Sequence, residues 1–262
     1  MDTSADHPGA YDPSAFPPFA VTVDVVVMAV IDTELHVALI RRGGEPHLGM
    51  WALPGGFKRT DETLDAAAAR ELAEEAGLDA PRLAQFGAYG DPGRDPRMDV
   101  VTVSYYAAVP EAVALRAGTD ADDARWANVA DVIDGRLRLA FDHARIVADA
   151  RARLADDLDR TDAALALVHT EFTVQALRRA YEAVWRLDLA DRDERAGFAI
   201  DRRNFRRQLE AAPGFLAATG RTTADVTAEA GEDASPGRPA ALHTATSAWR
   251  ESAPVRRPRA LR

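Results

Sequence analysis

The sequence predicts an α/β domain over residues 18–160, followed by a smaller helical domain over residues 165–245 that closes with a β-hairpin. Three observations carry this reading. Up to residue 160, β-branched runs long enough for strands are interrupted by alanine-rich stretches of helical periodicity. Past Thr170, two helix starts of the same design follow one another with no strand between them. The charge also divides: residues 1–160 carry 16 basic and 28 acidic side chains, whereas residues 161–262 carry 16 and 14. Such asymmetry indicates two domains with different partners, and 262 residues are enough for both.

Residues 1–17 read as a disordered lead-in, without the basic start and apolar core of a secretory signal. No apolar run reaches the roughly 18–20 residues that cross a bilayer, so no membrane partner is expected and the default location is cytoplasmic. The absence of cysteine excludes disulfides, thiol catalysis and thiolate metal sites. Val21–Ile31 (VTVDVVVMAVI) is β-branched and fits a buried central strand. Asp32-Thr33-Glu34 turns it, and His36–Ile40 returns as the second strand of a hairpin. Leu83–Ala88, Val100–Val109 and a short Ala124–Trp126 read as further strands. A helix begins at Asp131–Ile133, and Phe141–Leu158 has the periodicity of a connecting helix. His143, alone on that helix, is expected to be structural, although it can also face a ligand.

Gly56–Leu78 (GFKRTDETLDAAAARELAEEAGL) is the chemically dense stretch. Thr63 is placed to cap a helix through the alanines, and Gly77 falls where a left-handed terminating residue is wanted. Glu71, Glu74 and Glu75 stand at i, i+3 and i+4, so they share one helix face, while Leu64, Ala68 and Leu72 lie on another. Like charges so close repel unless a cation sits among them. Oxygen-only carboxylate clusters suit hard cations such as Mg²⁺ or Mn²⁺, and Arg70 is in reach of Glu62. Gly56, Glu62, Arg70, Glu71, Leu72, Glu74, Glu75, Gly77 and Leu78 together resemble the complete Nudix box. That resemblance implies an α/β/α sandwich and diphosphate hydrolysis, with Glu71, Glu74, Glu75, Arg70 and Glu62 as the catalytic set. It also implies Glu71, Glu74, Glu75 and Gly56 as metal ligands, and Gly55 and Gly56 against the substrate. Metal ions held there would bridge the diphosphate oxygens and offset the charge growing on them. Nudix enzymes draw a further carboxylate from a later loop, for which Asp120, Asp122 and Asp123 are all candidates.

Tyr89–Arg97 is a loop by its Pro, Gly and Asp content. Arg94 and Arg97 on it can receive a diphosphate or ribose, or can simply pair with Asp91 and Asp95. With the preceding RRGGEPHLGMWALPGGF, the loop is similar to the Nudix branch that handles ADP-ribose, and within it to the Nudix-related transcriptional regulators of NAD metabolism.

In the second domain, Thr173 caps a helix carrying Val174, Leu177, Tyr181 and Val184, with Phe172 packing on Leu177. Ile200, Asp201 and Phe205 repeat the device for the helix DRRNFRRQLE. With Phe205 and Leu209 inward, Arg202, Arg203, Asn204, Arg206 and Arg207 share the outer faces, as contacts to phosphates and base edges in a major groove require. Only Asp201 and Glu210 lie locally to neutralise them. Phe215-Leu216 and Ala240–His243 are expected to form a hairpin introduced by Pro236-Gly237-Arg238-Pro239, which with the two helices outlines a winged helix-turn-helix. IDRRNFRRQLE and GRPAALH resemble the C-terminal domain of the same regulators, so Arg238 joins the DNA-binding set. Residues 246–262 read as a basic disordered tail, able to neutralise phosphates or without function. Two stretches depart from the family pattern: Ala190–Ala199 lengthens the connection between the helices, and the acidic Arg221–Ser235 is expected to loop out as a disordered excursion.

The resemblance implies a dimeric repressor of NAD-metabolism genes that binds a double-stranded operator and responds to ADP-ribose or a related nucleoside diphosphate. The competing expectation is an Mg²⁺-dependent hydrolase of such ligands with no regulatory role. An intact box also allows both activities in one chain.

Overall fold

A computed structural model describes residues 16–79, 82–111, 114–116, 121–212, 214–230, 238–246, 253–258 and 261. Its centre is β1 (Ala20–Ile31), which lies antiparallel to β2 (Glu34–Arg42) and parallel to β6 (Val100–Val109). Short strands β3 (Trp51–Ala52) and β4 (Gly55–Phe57) pair with β2 and β1, β5 (Ala84–Tyr89) with β6, and β7 (Ala121–Asn128) with the far edge of β2. The result is one mixed seven-stranded sheet. Alternation along β1 sets its two faces. Val23, Val25 and Val27 pack on Ala67, Ala68, Leu72 and Ala76 of α1 (Leu64–Ala76). Val26 and Met28 face the opposite way, onto Ile146, Val147, Ala150 and Leu154 of α3 (His143–Arg160), which follows the short α2 (Val129–Ile133). Sheet between helices is the expected α/β/α sandwich. The alanines of α1 let its backbone approach the sheet closely, and burying Leu72 alone contributes about 1.5–3 kcal/mol.

Helix α1 begins and ends on the residues the sequence marked. The Thr63 hydroxyl accepts the Ala66 N–H at 3.1 Å, and Gly77 takes φ 63°. The second domain comprises α4 (Val174–Trp185), α5 (Arg192–Gly197), α6 (Arg202–Glu210), β8 (Leu216–Thr222), α7 (Thr223–Ala230) and β9 (Ala241–Ala245). Thr173 and Asp201 cap α4 and α6 through the Ala176 and Asn204 N–H groups, at 3.0 and 2.7 Å. Strands β8 and β9 form the antiparallel hairpin, and Phe172 adds a further bridge to His243. Leu158 of α3, Phe172, Leu177, Tyr181, Trp185 and Phe205 belong to one continuous core with the α3 face of the sheet. The domains are therefore packed together, with no free hinge between them.

Two expectations need correction, and a third gains detail. The acidic stretch after Arg221 does not simply loop out: Thr223–Ala230 is helix α7, because Asp225 accepts both the N–H and the hydroxyl of Thr222, and Arg221 pairs with Glu229 at 2.5 Å. The lengthened connection likewise contains α5, whose Asp191 cap accepts the Asp193 and Glu194 N–H groups. Nor is the basic tail wholly free. Within 253–258, Val255 is fully buried and Arg257 pairs with Asp156, Asp159 and Asp188 at 2.8–3.2 Å, which removes that arginine from any phosphate. Residues 231–237, 247–252, 259–260 and 262 of these segments, and residues 1–15 of the expected lead-in, lie outside the described residues. No helix among the described residues is long and apolar enough to cross a membrane.

Candidate functional site

A cavity of about 660 Å³ opens where α1, β4 and the 89–97 loop meet the start of α3. Its position follows from one strand pairing: β4 lies on β1 with Gly55 opposite Asp24 and Gly56 opposite Val23. The backbone here is too crowded for a side chain. A Cβ on Gly55 would lie 2.3 Å from the Val23 carbonyl oxygen, and one on Gly56 would lie 2.5 Å from Glu71 Oε1. Gly55 is thus required by close approach to backbone, whereas a side chain at Gly56 would displace the Glu71 carboxylate.

The acidic wall of the cavity is organised by Arg70. Its guanidinium donates to both oxygens of Glu62 at 2.6 and 2.9 Å, to Glu71 at 2.6 Å, to Glu74 at 3.0 Å and to the Phe57 carbonyl at 3.2 Å. The Arg70 hydrogen bonds, aided by the Arg59 N–H, hold the Glu62 carboxyl down at about 2. Glu75 faces inward from the next position and accepts the Gly55 N–H at 2.8 Å. The box therefore folds as a braced unit, with the loop, the β4 backbone and α1 tied through one cation.

Glu71, Glu74 and Glu75 all line the cavity and offer only oxygen donors, which fits a hard divalent cation. Among the described residues no three carboxylate or imidazole groups converge on one point, because Arg70 occupies one oxygen of Glu71 and one of Glu74. The donor set fits a cation; the present side-chain arrangement is the one Arg70 imposes.

The opposite wall holds Asp24, which the sequence reading passed over, together with His143 and Arg94, which it named. Asp24 sits in the all-apolar run of β1 and is 6% exposed. His143, at the start of α3, accepts the Leu53 N–H on Nδ1 at 2.9 Å, so its neutral ring carries the proton on Nε2, 3.5 Å from Asp24 Oδ1. Burial pushes this imidazole below its ordinary pKa and keeps it neutral. The structural role expected of His143 is present, and so is a place in the cavity wall. Asp142 pairs in two-pronged fashion with Arg94, at 2.6 and 3.0 Å. Although burial raises Asp142, the Arg94 hydrogen bonds hold it below the usual carboxylate range.

Arg94 is consequently buried in the wall, while Arg97 pairs with Asp95 at 2.7 Å and remains 42% exposed on its side chain. The pairing alternative for the loop arginines is thus met, with Asp142 rather than Asp91 as the partner of Arg94. Asp91 instead takes Arg145, at 2.7 Å. Arg42, which the sequence reading did not single out, also lines the cavity, with its guanidinium carbon 4.9 Å from the Phe141 ring centroid. Of the three later-loop candidates, Asp123 is on β7, opposite Arg41 of β2, and outside the cavity lining. Asp120 lies outside the described residues, as does the side chain of Asp122.

On the second domain, α6 buries Phe205 completely and exposes Arg202, Arg203, Asn204, Arg206 and Arg207. Arg206 pairs with Glu210 at 3.1 Å and Arg207 donates to Asn204 at 2.7 Å, both on the surface, where such contacts contribute about 0–1 kcal/mol and exchange readily. Arg202 and Arg203 form no ion pair with described residues. Arg206 shares a 490 Å³ surface cavity with Ala240 and Ala241 at the start of β9, which sets exposed Arg238 at the same end of the hairpin. The approach of α6 is fixed from below by a buried pair. Arg178 and Glu182 of α4 bond each other, Glu182 accepts the Ile200 N–H at 2.7 Å, and Arg178 donates to the Ile200 carbonyl at 3.2 Å.

Comparison with known proteins agrees with this architecture. The NUDIX domain family matches residues 21–150. An ADPR responsive transcriptional repressor, NtrR, of Acinetobacter baylyi is 31% identical over 76% of this chain and 75% of its own. An ADP-ribose pyrophosphatase of Methanocaldococcus jannaschii is 36% identical over 48% of this chain and 71% of its own. Among solved structures, Shewanella oneidensis NrtR complexed with a 27mer DNA superimposes with a TM-score of 0.66 at 29% identity, covering 86% of this chain and 93% of that one. The chain belongs to the Nudix family, within the group of Nudix-related regulators that includes these repressors. Its fold is the Nudix α/β/α sandwich followed by a winged helix-turn-helix domain. Nudix hydrolases work with divalent metal cations.

Proposed function

We propose that this protein is an ADP-ribose-responsive, DNA-binding repressor of NAD-metabolism genes whose Nudix cavity also retains the means to hydrolyse its ligand. One observation carries the reading: one chain holds a complete, braced carboxylate box on one face of the sheet and, packed through the core on the other face, a domain with an exposed basic helix. The relatives named above supply the chemical identities, ADP-ribose for the cavity and duplex DNA for the helix. Glu71, Glu74 and Glu75, with the Gly56 backbone, would hold Mg²⁺ or Mn²⁺, and the cation's part would be to neutralise charge on the diphosphate. Arg70 and Glu62 keep those carboxylates in place. Gly55, Gly56 and Arg97 form the substrate-facing surface, and Arg94 positions the wall behind it. Arg202, Arg203, Asn204, Arg206, Arg207 and Arg238 are the DNA-facing set. Regulators of this architecture read two half-sites as dimers, so a homodimer working in the cytoplasm on its operator is part of the proposal.

Ligand can release DNA only by binding the DNA-free form more tightly, since equal affinities shift nothing. The test uses one purified sample: retardation of the chain's own upstream DNA with and without ADP-ribose, and AMP release with Mg²⁺. Retardation relieved by ADP-ribose supports the repressor; its absence at low salt sinks it. The completeness of the box favours one competitor, a hydrolase without regulatory role, for which AMP release without DNA binding is the signature. Turnover abolished in Glu74→Gln and Glu75→Gln assigns the chemistry to the box.

A further inference from the structure

The wall opposite the carboxylate box contains a charge with an unanswered valence. Asp24 lines the cavity, its side chain is 8% exposed, and its Oδ2 has no hydrogen-bond donor among the described residues. The nearest cationic group, Arg94 Nη2, stands 3.6 Å away and gives its hydrogen bonds to Asp142. The other nearby polar atom is His143 Nε2, 3.5 Å from Oδ1. Behind Asp24 the register of β1 on β6 sets Ser104 directly opposite it, and Thr102 opposite Thr22. Both hydroxyls are fully buried and likewise make no hydrogen bond. Buried carboxylate oxygens are normally satisfied, and a pair of idle hydroxyls one strand away could have satisfied this one. The residue that carries this buried oxygen instead lines a cavity of about 660 Å³, large enough for a nucleotide.

Charge decides what fits. A phosphate would meet the buried carboxylate of Asp24. A cationic group would meet Arg94. The group that suits an acceptor-only oxygen flanked by a guanidinium and an imidazole N–H is neutral and donates through O–H, while its own oxygen accepts in return. We infer that Asp24 is a specificity residue that accepts a hydrogen bond from a sugar hydroxyl of the nucleotide ligand, beside the Gly55–Glu75 contact that marks the diphosphate end of the cavity. This rests on the nucleoside-diphosphate reading above and adds to it the part of the ligand that is recognised and the residue that recognises it.

The test is a cycle of protein against ligand, run in EDTA so that nothing is consumed. Titration calorimetry compares wild type and Asp24→Asn for ADP-ribose, ADP and 2′-deoxy-ADP. A hydrogen bond from a neutral hydroxyl to a buried carboxylate corresponds to about 10- to 100-fold in affinity. The expected result is a loss of that size for ADP-ribose and less than about threefold for 2′-deoxy-ADP. ADP behaving like ADP-ribose puts the contact on the nucleoside sugar; ADP behaving like 2′-deoxy-ADP puts it on the distal sugar. No loss for any ligand overturns the inference; equal losses for all three are followed with 2′,3′-dideoxy-ADP, and a loss that persists there overturns it as well, since it reduces Asp24 to a structural or general electrostatic role. A wild-type chain that binds none of the three overturns the parent reading as well. Thermal unfolding confirms that Asp24→Asn folds, and Asp24→Ser replaces it in the same cycle should it not.

Discussion

Replacing Arg178 by Met tests how the basic helix is held. Arg178 and Glu182 are 8% and 5% exposed and make a buried ion pair whose remaining valences go to the backbone of Ile200, the residue before the Asp201 cap of α6. Arg178→Met preserves length and apolar bulk but leaves the Glu182 carboxylate buried without its cation. Breaking a buried pair in this way costs about 3–5 kcal/mol, a large share of the roughly 5–15 kcal/mol that holds a folded chain together. The double variant Arg178→Met/Glu182→Met removes the stranded charge. Its residual deficit is the unpaired Ile200 N–H, about 1–3 kcal/mol, so the second substitution should restore stability rather than reduce it. Chemical denaturation followed by circular dichroism reads both variants. Retardation of operator DNA should fall in the single variant below its unfolding midpoint, because the entry to α6 is loosened first, while ADP-ribose affinity is retained. A single variant within 1 kcal/mol of wild type, or a double variant less stable than the single one, would refute the reasoning.

Other outcomes follow from the same geometry. Arg70→Gln strips support from Glu62, Glu71 and Glu74 at once and should lower divalent-cation affinity by about 10- to 100-fold, read by calorimetric titration with Mg²⁺ or Mn²⁺. Glu62 has a folded-state pKa of about 2 against an ordinary 4.5. Its contribution is therefore complete above about pH 4.5 and is lost as the pH falls towards 2; the acid limb of unfolding should be shallower in Glu62→Gln, and identical limbs would contradict the assignment. Arg202→Ala and Arg203→Ala should each lower the slope of log affinity for DNA against log salt by about one. Neither should alter ADP-ribose binding, and an unchanged slope removes that residue from the phosphate-contacting set.

The features legible in advance were those written within a single turn or loop. Thr63 and Asp201 announce their caps by spacing, Gly77 its left-handed ending, and Arg70 its reach to Glu62 eight residues back. Helix α7 was also written locally, as Thr222 three residues before Asp225, but the low complexity of the surrounding stretch masked the carboxylate's reach back to the Thr222 N–H. The opposite cavity wall was not legible, because its contacts join Asp24, Leu53, Arg94, Asp142 and His143 across as many as 119 positions. One signal was available there: a single carboxylate inside a run of valines on a central strand has to be answered by something. The docking of Val255 and Arg257 was hidden for the converse reason. An arginine-rich end looks solvated until the acidic patch of α3 and Asp188 that receives it is known.

Helix α3 gains a further meaning from its two ends. At its start, His143 lines the cavity and Asp142 pairs with Arg94 in the cavity wall. At its close, Asp156 and Asp159 grip Arg257, and the neighbouring Arg256 N–H bonds Gln208 on the basic helix at 2.9 Å. Eighteen residues of uninterrupted helix form a rod of about 27 Å. One end of the rod thus bonds the cavity wall through Asp142 and Arg94, and the other anchors Arg257, beside the Arg256 contact to the basic helix. Cavity wall and Arg257 anchorage are joined by a helix that packs into the cores of both domains, so neither domain can dispense with it.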